Sequence, residues 1–165
     1  MSEIFNTVFY VVNTVREKAS SCKNSKNILD DFERRAEDAP TLLSQGLTQA
    51  LTFYLYKVEG LTALANVYDW LFENKGNDAD ICKSLDNSQG YLLYTSVLFY
   101  LLQKLNVECK IEEFRKNAES LKNCLTNISV NEAKVYRKLI NYVIELKKIS
   151  KIMLGEEKAQ STTQS

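Results

Sequence analysis

Apolar residues recur at intervals of three and four along almost the whole chain, the spacing that gathers them on one face of an α-helix. Ile4, Phe5, Val8, Phe9, Val12, Val15 and Ala19 make the first such stripe. Its β-branched content leaves a strand possible, but the spacing predicts a helix ending near Ser20 and Ser21. The polar stretch 22–27 reads as a turn, with Asn27 placed to cap the next helix. Ile28, Leu29, Phe32 and Ala36 then form one buried stripe, bordered by Glu33, Arg34, Arg35, Glu37 and Asp38. Pro40 lacks an N–H and disfavours helix at the residue before it, so it either starts a new helix or kinks the existing one. Leu47, Ala50, Leu51, Tyr54 and Leu55 resume the helical pattern as far as about Val58.

Beyond Gly60 the pattern runs through Leu61, Leu64, Ala65, Val67, Tyr68, Leu71 and Phe72, and the polar turn 74–77 closes it. A short helix fits Asp78 to Leu85, where Asp78 and Asp80 suit the positive end of the helix dipole. From Gln89 to Leu105 the residues are apolar on nearly every side, which predicts a helix central in the fold or buried in an interface. Ile111, Phe114, Ala118, Leu121, Cys124 and Leu125 predict one further amphipathic helix. A turn at 127–129 then leads into a last helix from Val130 to about Met153. The residues after it are low in hydrophobicity, which predicts a disordered tail over 155–165 behind a single domain over 1–154.

Composition agrees with an all-α reading. One Pro and five Gly in 165 residues leave too few turn signals for a β-sandwich or barrel, and 45% hydrophobic residues suffice for a core. The expected architecture is a compact bundle of about six or seven helices. The densest apolar run, Tyr91 to Leu102, is shorter than the roughly 20 residues needed to cross a bilayer. The N-terminal stretch has Glu3 before its apolar residues and no basic region, so it does not read as a secretion signal. The expected compartment is the cytoplasm. Cys22, Cys82, Cys109 and Cys124 form no C-x-x-C pair, and isolated buried thiols are the expectation for them.

The chain has no histidine, which removes the commonest general base and the most frequent zinc ligand. It has no G-x-S-x-G, no P-loop and no G-x-G-x-x-G. The acidic pairs Asp30–Asp31, Glu112–Glu113 and Glu156–Glu157 are adjacent in sequence and point about 100° apart on a helix, so they do not converge on an ion or a bond. No catalytic residue, metal site or cofactor is expected.

Charge changes the picture locally. The 21 basic and 21 acidic residues cancel, yet residues 58–90 hold six acids against two bases, and residues 104–151 eleven bases against six acids. On the last predicted helix Lys134, Arg137, Lys138 and Lys148 share one arc, with Lys151 at its margin and Tyr136, Leu139, Val143, Leu146 and Ser150 opposite. Such a face can neutralise phosphates without reading bases. A solvated helix face gives the same pattern. Tyr54 and Tyr56 beside Lys57 are the aromatic residues placed for base stacking; the others sit at core spacings.

Between residues 32 and 57, Arg35, Ala36, Pro40, Leu43, Gln45, Gly46, Leu47, Gln49, Ala50, Leu51, Phe53 and Lys57 stand in an order that resembles the small-subunit family of the Cmr complex, the type III-B CRISPR RNA-silencing effector. The structural positions of that motif are Pro40, Gly46, Leu47 and Phe53. The closing helix resembles the family's basic last helix more loosely, with Val143 to Lys148 where the family carries a tryptophan followed by lysine and arginine. The resemblance implies a non-catalytic helical subunit that stacks with copies of itself beside the backbone subunits and contacts guide and target RNA through their backbones. It implies Lys57, Arg34 and Arg35 near the motif, and Lys134, Arg137, Lys138, Lys148 and Lys151 on the last helix, as the RNA-binding residues. The small subunit of the related type III-A complex, or a helical adaptor that binds protein alone, is the alternative.

Overall fold

The computed structural model describes residues 2–163, with side chains through Gly155. Its described residues form nine helices and no strand: α1 (Glu3–Ala19), α2 (Ser25–Ser44), α3 (Leu47–Lys57), α4 (Leu61–Phe72), α5 (Asp78–Asp86), α6 (Tyr91–Lys104), α7 (Ile111–Phe114), α8 (Ala118–Val130) and α9 (Glu132–Thr163). The all-helical class is as expected, with more helices than the expected six or seven. The tail expected over 155–165 lies, beyond Gly155, outside the residues whose side chains are described.

The strand alternative for the first segment fails because Val8, Val11, Val12, Val15 and Ala19 are buried along one helical face. The Ser2 hydroxyl caps that helix, accepting from the Phe5 amide at 3.2 Å. The second helix begins two residues before the expected cap: Asn24, not Asn27, precedes its first turn. Pro40 does not start a helix. It sits inside α2, which continues to Ser44, leaving the Ala36 carbonyl without its usual donor. Burial of Phe32, Ala36, Ala39 and Leu43 on one side holds α2 together through the proline. The break falls instead at Gly46, whose φ of 141° lies in the region that favours glycine.

The expected helix from Ile111 to Leu125 is divided. Phe114 ends α7, and the Asn117 side chain accepts from the Glu119 amide at 2.9 Å to cap α8. The turn expected at 127–129 is helical, because Cys124 and Ile128, four residues apart, are both fully buried and carry α8 on to Val130. The chain bends at Asn131, whose carbonyl accepts from the Val135 amide at 3.0 Å as α9 starts.

Packing follows the apolar faces. α9 lies along both α1 and α2, and α6 is held by α4, α2 and α3 as well as α9. As its composition predicts, α6 is the central element, buried continuously from Tyr91 to Phe99 and again at Leu101 and Leu102. Its polar Ser96 returns its hydroxyl to the Leu92 carbonyl at 2.8 Å. Gly90 precedes α6 with a φ of 83°, and a Cβ there would stand 2.6 Å from the Asp31 carbonyl carbon and oxygen. The backbones of α2 and α6 therefore touch at a point where only glycine fits.

The cysteines correct the sequence reading. All four are paired: Cys22 with Cys82, Cα atoms 5.4 Å apart, and Cys109 with Cys124, Cα atoms 5.0 Å apart. Neither bridge has a sequence motif, since each joins positions that only the fold brings together. The first ties the turn between α1 and α2 to α5; the second ties the loop before α7 to α8. No helix among the described residues is long and apolar enough to cross a membrane.

Candidate nucleic-acid interface

Two groups of cations stand out, and they occupy different places. The larger is on α9. Its inner face is Val135, Leu139, Tyr142, Val143, Leu146, Ile149, Ser150 and Leu154, all buried against the bundle. The steps of three and four that bury those residues push Lys134, Arg137, Lys138, Lys148 and Lys151 outward, and all five are exposed. Lys147 is exposed as well, and Ile144 and Ile152 interrupt the stripe with exposed apolar surface. Seventeen residues separate Lys134 from Lys151, so the stripe is about 25 Å long at 1.5 Å per residue.

None of these α9 cations has an ion-pair partner among the described residues, where the pairs are Arg34 with Asp31 at 3.7 Å and Arg115 with Asp69 at 4.0 Å. The acid that starts the same helix is otherwise engaged. The Glu132 carboxylate accepts from the Thr48 amide at 2.8 Å, in the first turn of α3. Gly46 brings no side chain to cap α3, so α9 supplies the cap from 84 residues away.

The smaller group surrounds Tyr91. The Arg35 guanidinium carbon lies 4.5 Å from the centre of that ring, and the Lys57 ammonium 5.6 Å from it and 5.5 Å from the ring of Phe53. Phe53 meets Tyr91 edge to face with centroids 5.9 Å apart, and Tyr54 packs behind against both Tyr91 and Tyr94. Burial pushes the Tyr54 phenol well above its ordinary value, with Tyr91 and Asp38 adding to the shift, so it stays protonated. The hydroxyls of Tyr54 and Tyr94 and the Arg35 Nε are enclosed without a hydrogen-bond partner.

Of the residues expected from sequence, the fold therefore brings Arg35, Phe53 and Lys57 together and places Arg34 apart from them. Adjacent helical residues diverge by about 100°, and Arg34 turns outward to Asp31 one turn back. Tyr56, set out for stacking, is 77% exposed and free to do so, whereas Tyr54 is wholly buried. Lys57 ends α3 and Thr48 lies in its first turn, so the Tyr91 group and the start of the α9 stripe are separated by about 14 Å of helix. Tyr91 itself was not legible as a site residue, because it opens an apolar run and looks like core.

The arrangement offers charge, aromatic faces and hydrogen-bond donors, and no group of three or more His, Cys, Asp or Glu able to hold a metal ion occurs among the described residues. Compared with protein-family models, with curated proteins and with solved structures, the chain matches none.

Proposed function

We propose that the protein is a non-catalytic, RNA-contacting small subunit of a type III-B CRISPR effector, stacking with copies of itself and with the other Cmr subunits. The observation that carries this reading is the α9 stripe, five exposed cations along about 25 Å with no carboxylate partner among the described residues. A phosphate backbone presents charge at comparable spacing, and an unpartnered row of Lys and Arg gains most from it by releasing counterions. The motif at 32–57 supports the same reading, and its Lys57 and Arg35, both over the Tyr91 ring, offer a second contact. Guide and target are recognised by backbone and duplex shape, while pairing between the strands supplies sequence. Two cystines suit an intracellular protein where the cytoplasm is that of a hyperthermophile, so the cytoplasmic assignment carries that condition with it.

The test is RNA binding by the assembled complex carrying Arg137→Glu, Lys148→Glu and Lys151→Glu. The salt dependence of binding, plotted as log K against log salt, should flatten by about 2, since each lost phosphate contact removes about 0.7 on a single strand. An unchanged affinity and slope, with normal assembly, overturns the RNA contact. A loss of assembly with no change in salt dependence identifies the protein-binding adaptor instead.

A further inference from the structure

A groove of about 370 Å³ lies where the loop 105–108 faces the corner between α8 and α9. Its size suits one mononucleotide, being within the roughly 300–1,000 Å³ typical of small-ligand sites. Three kinds of chemistry meet in it. Lys134 and Lys138, four residues apart on α9, put two ammonium groups on the same side. Asn106 and Asn127 also line the groove, and a carboxamide can both donate and accept. Val107 and Val135 add apolar surface, and Val135 is buried to 8% exposure.

The walls of the groove are fastened to each other. Cys109 follows the loop directly, and its bridge to Cys124 anchors it to α8 one turn before Asn127. Asn106 has a φ of 62°, a left-handed conformation that asparagine tolerates better than most residues. The Asn131 side chain donates to the Asn127 carbonyl at 3.1 Å and pins the corner on the other side.

We infer that this groove binds a ribonucleoside monophosphate. The phosphate takes Lys134 and Lys138, the base lies on the valines with its polar edge toward the carboxamides, and Glu108, which also lines the groove, accepts from a sugar hydroxyl. The carboxylate at Glu108 also sets the groove against longer phosphate chains by like-charge repulsion. The site does not depend on the RNA reading of the whole α9 face. The same chemistry comes from a free nucleotide or from the phosphorylated end of an RNA strand.

The test is titration of the full chain with each of the four ribonucleoside 5′-monophosphates and with inorganic phosphate, monitored by amide NMR shifts. Saturable shifts should appear around residues 105–108 and 127–138, at about millimolar concentration or below, with inorganic phosphate at least about tenfold weaker. Asn106→Gly, which keeps the positive φ, combined with Asn127→Ala should weaken nucleotide binding about tenfold while circular dichroism is unchanged. Should that pair unfold the chain, Lys138→Gln at an exposed helix position provides the same readout. Absence of saturation, equal affinity for phosphate alone, or unaltered binding by a folded variant overturns the site. Lys148→Glu with Lys151→Glu separates the two proposals: these positions lie about 15 Å or more along α9 from Lys138, so the pair should reduce RNA binding and leave nucleotide binding intact. A 5′-phosphorylated trinucleotide that binds as tightly as the monophosphate identifies the source as an RNA end, and one that does not bind identifies a free nucleotide.

Discussion

Lys57 shows what a single residue gains from its setting. In the sequence it is a lone charge after an apolar run; in the fold its ammonium lies over Tyr91 and Phe53, with Arg35 on the same tyrosine. Its position on a helix was legible from spacing, but its partners were not, because Tyr91 stands 34 residues away and looks like core. Gly90 beside it carries the strictest local requirement. A methyl group there would stand 2.6 Å from the Asp31 carbonyl and 3.0 Å from the Phe32 amide, on a backbone already at φ 83°. Gly90→Ala should therefore lower stability by about 3 kcal/mol or more, combining overpacking with backbone strain. Urea unfolding monitored by circular dichroism measures it; a loss below about 1 kcal/mol would mean that α2 and α6 can separate without cost.

At the level of elements, apolar periodicity located α1, α3, α4, α5 and α6 to within a few residues, since in each the buried stripe and the local turn signals agree. The pattern misplaced the breaks where they disagree. Pro40 reads as either a helix start or an interruption within one helix, and the fold takes the second, because the buried face of α2 outweighs a single missing hydrogen bond. Asn127 and Ser129 read as a turn and are helical, because Ile128 between them is core. The exposed arc of α9 was legible for the same reason that its core face was: one period generates both. The groove beside it was not, because it is walled by a loop whose path depends on an unsuspected disulfide. Nor was the cap that α9 gives α3. Glu132→Ala should destabilise the protein by about 1 kcal/mol by leaving the first turn of α3 without its acceptor, and Glu132→Gln should lose less. Thermal unfolding of the two variants checks the order; equal and negligible losses would show that solvent satisfies Thr48 as well.

For the whole molecule the cystines matter most. Cys22 and Cys82 are 60 positions apart and Cys109 and Cys124 are 15 apart, so chain entropy assigns about 4 and about 3 kcal/mol to the two closures. Reduction should lower Tm by about 10 °C or more in a chain of this length, and should loosen α5 first, since α4 is its principal packing partner. Calorimetry with and without reductant tests this; an identical Tm with all four thiols titratable would deny the bridges any part in stability. The absence of histidine and the cancellation of 21 charges by 21 remain true of the molecule, but the zero sum conceals a row of cations along α9 that form no ion pair among the described residues.

The contact between Glu132 and Thr48 has a consequence for synthesis. α9 covers α1 and α2 and completes the start of α3, yet the ribosome makes it after all of them. Until residues 132–154 emerge, the parts of α1 and α2 that meet α9 have no cover, although both helices already pack on earlier elements, and α3 lacks the Glu132 acceptor at its first turn. The bundle therefore closes from its late end: a nascent chain halted before Glu132 can gather its helices around α6 but leaves the side of α1 and α2 that α9 covers open to water.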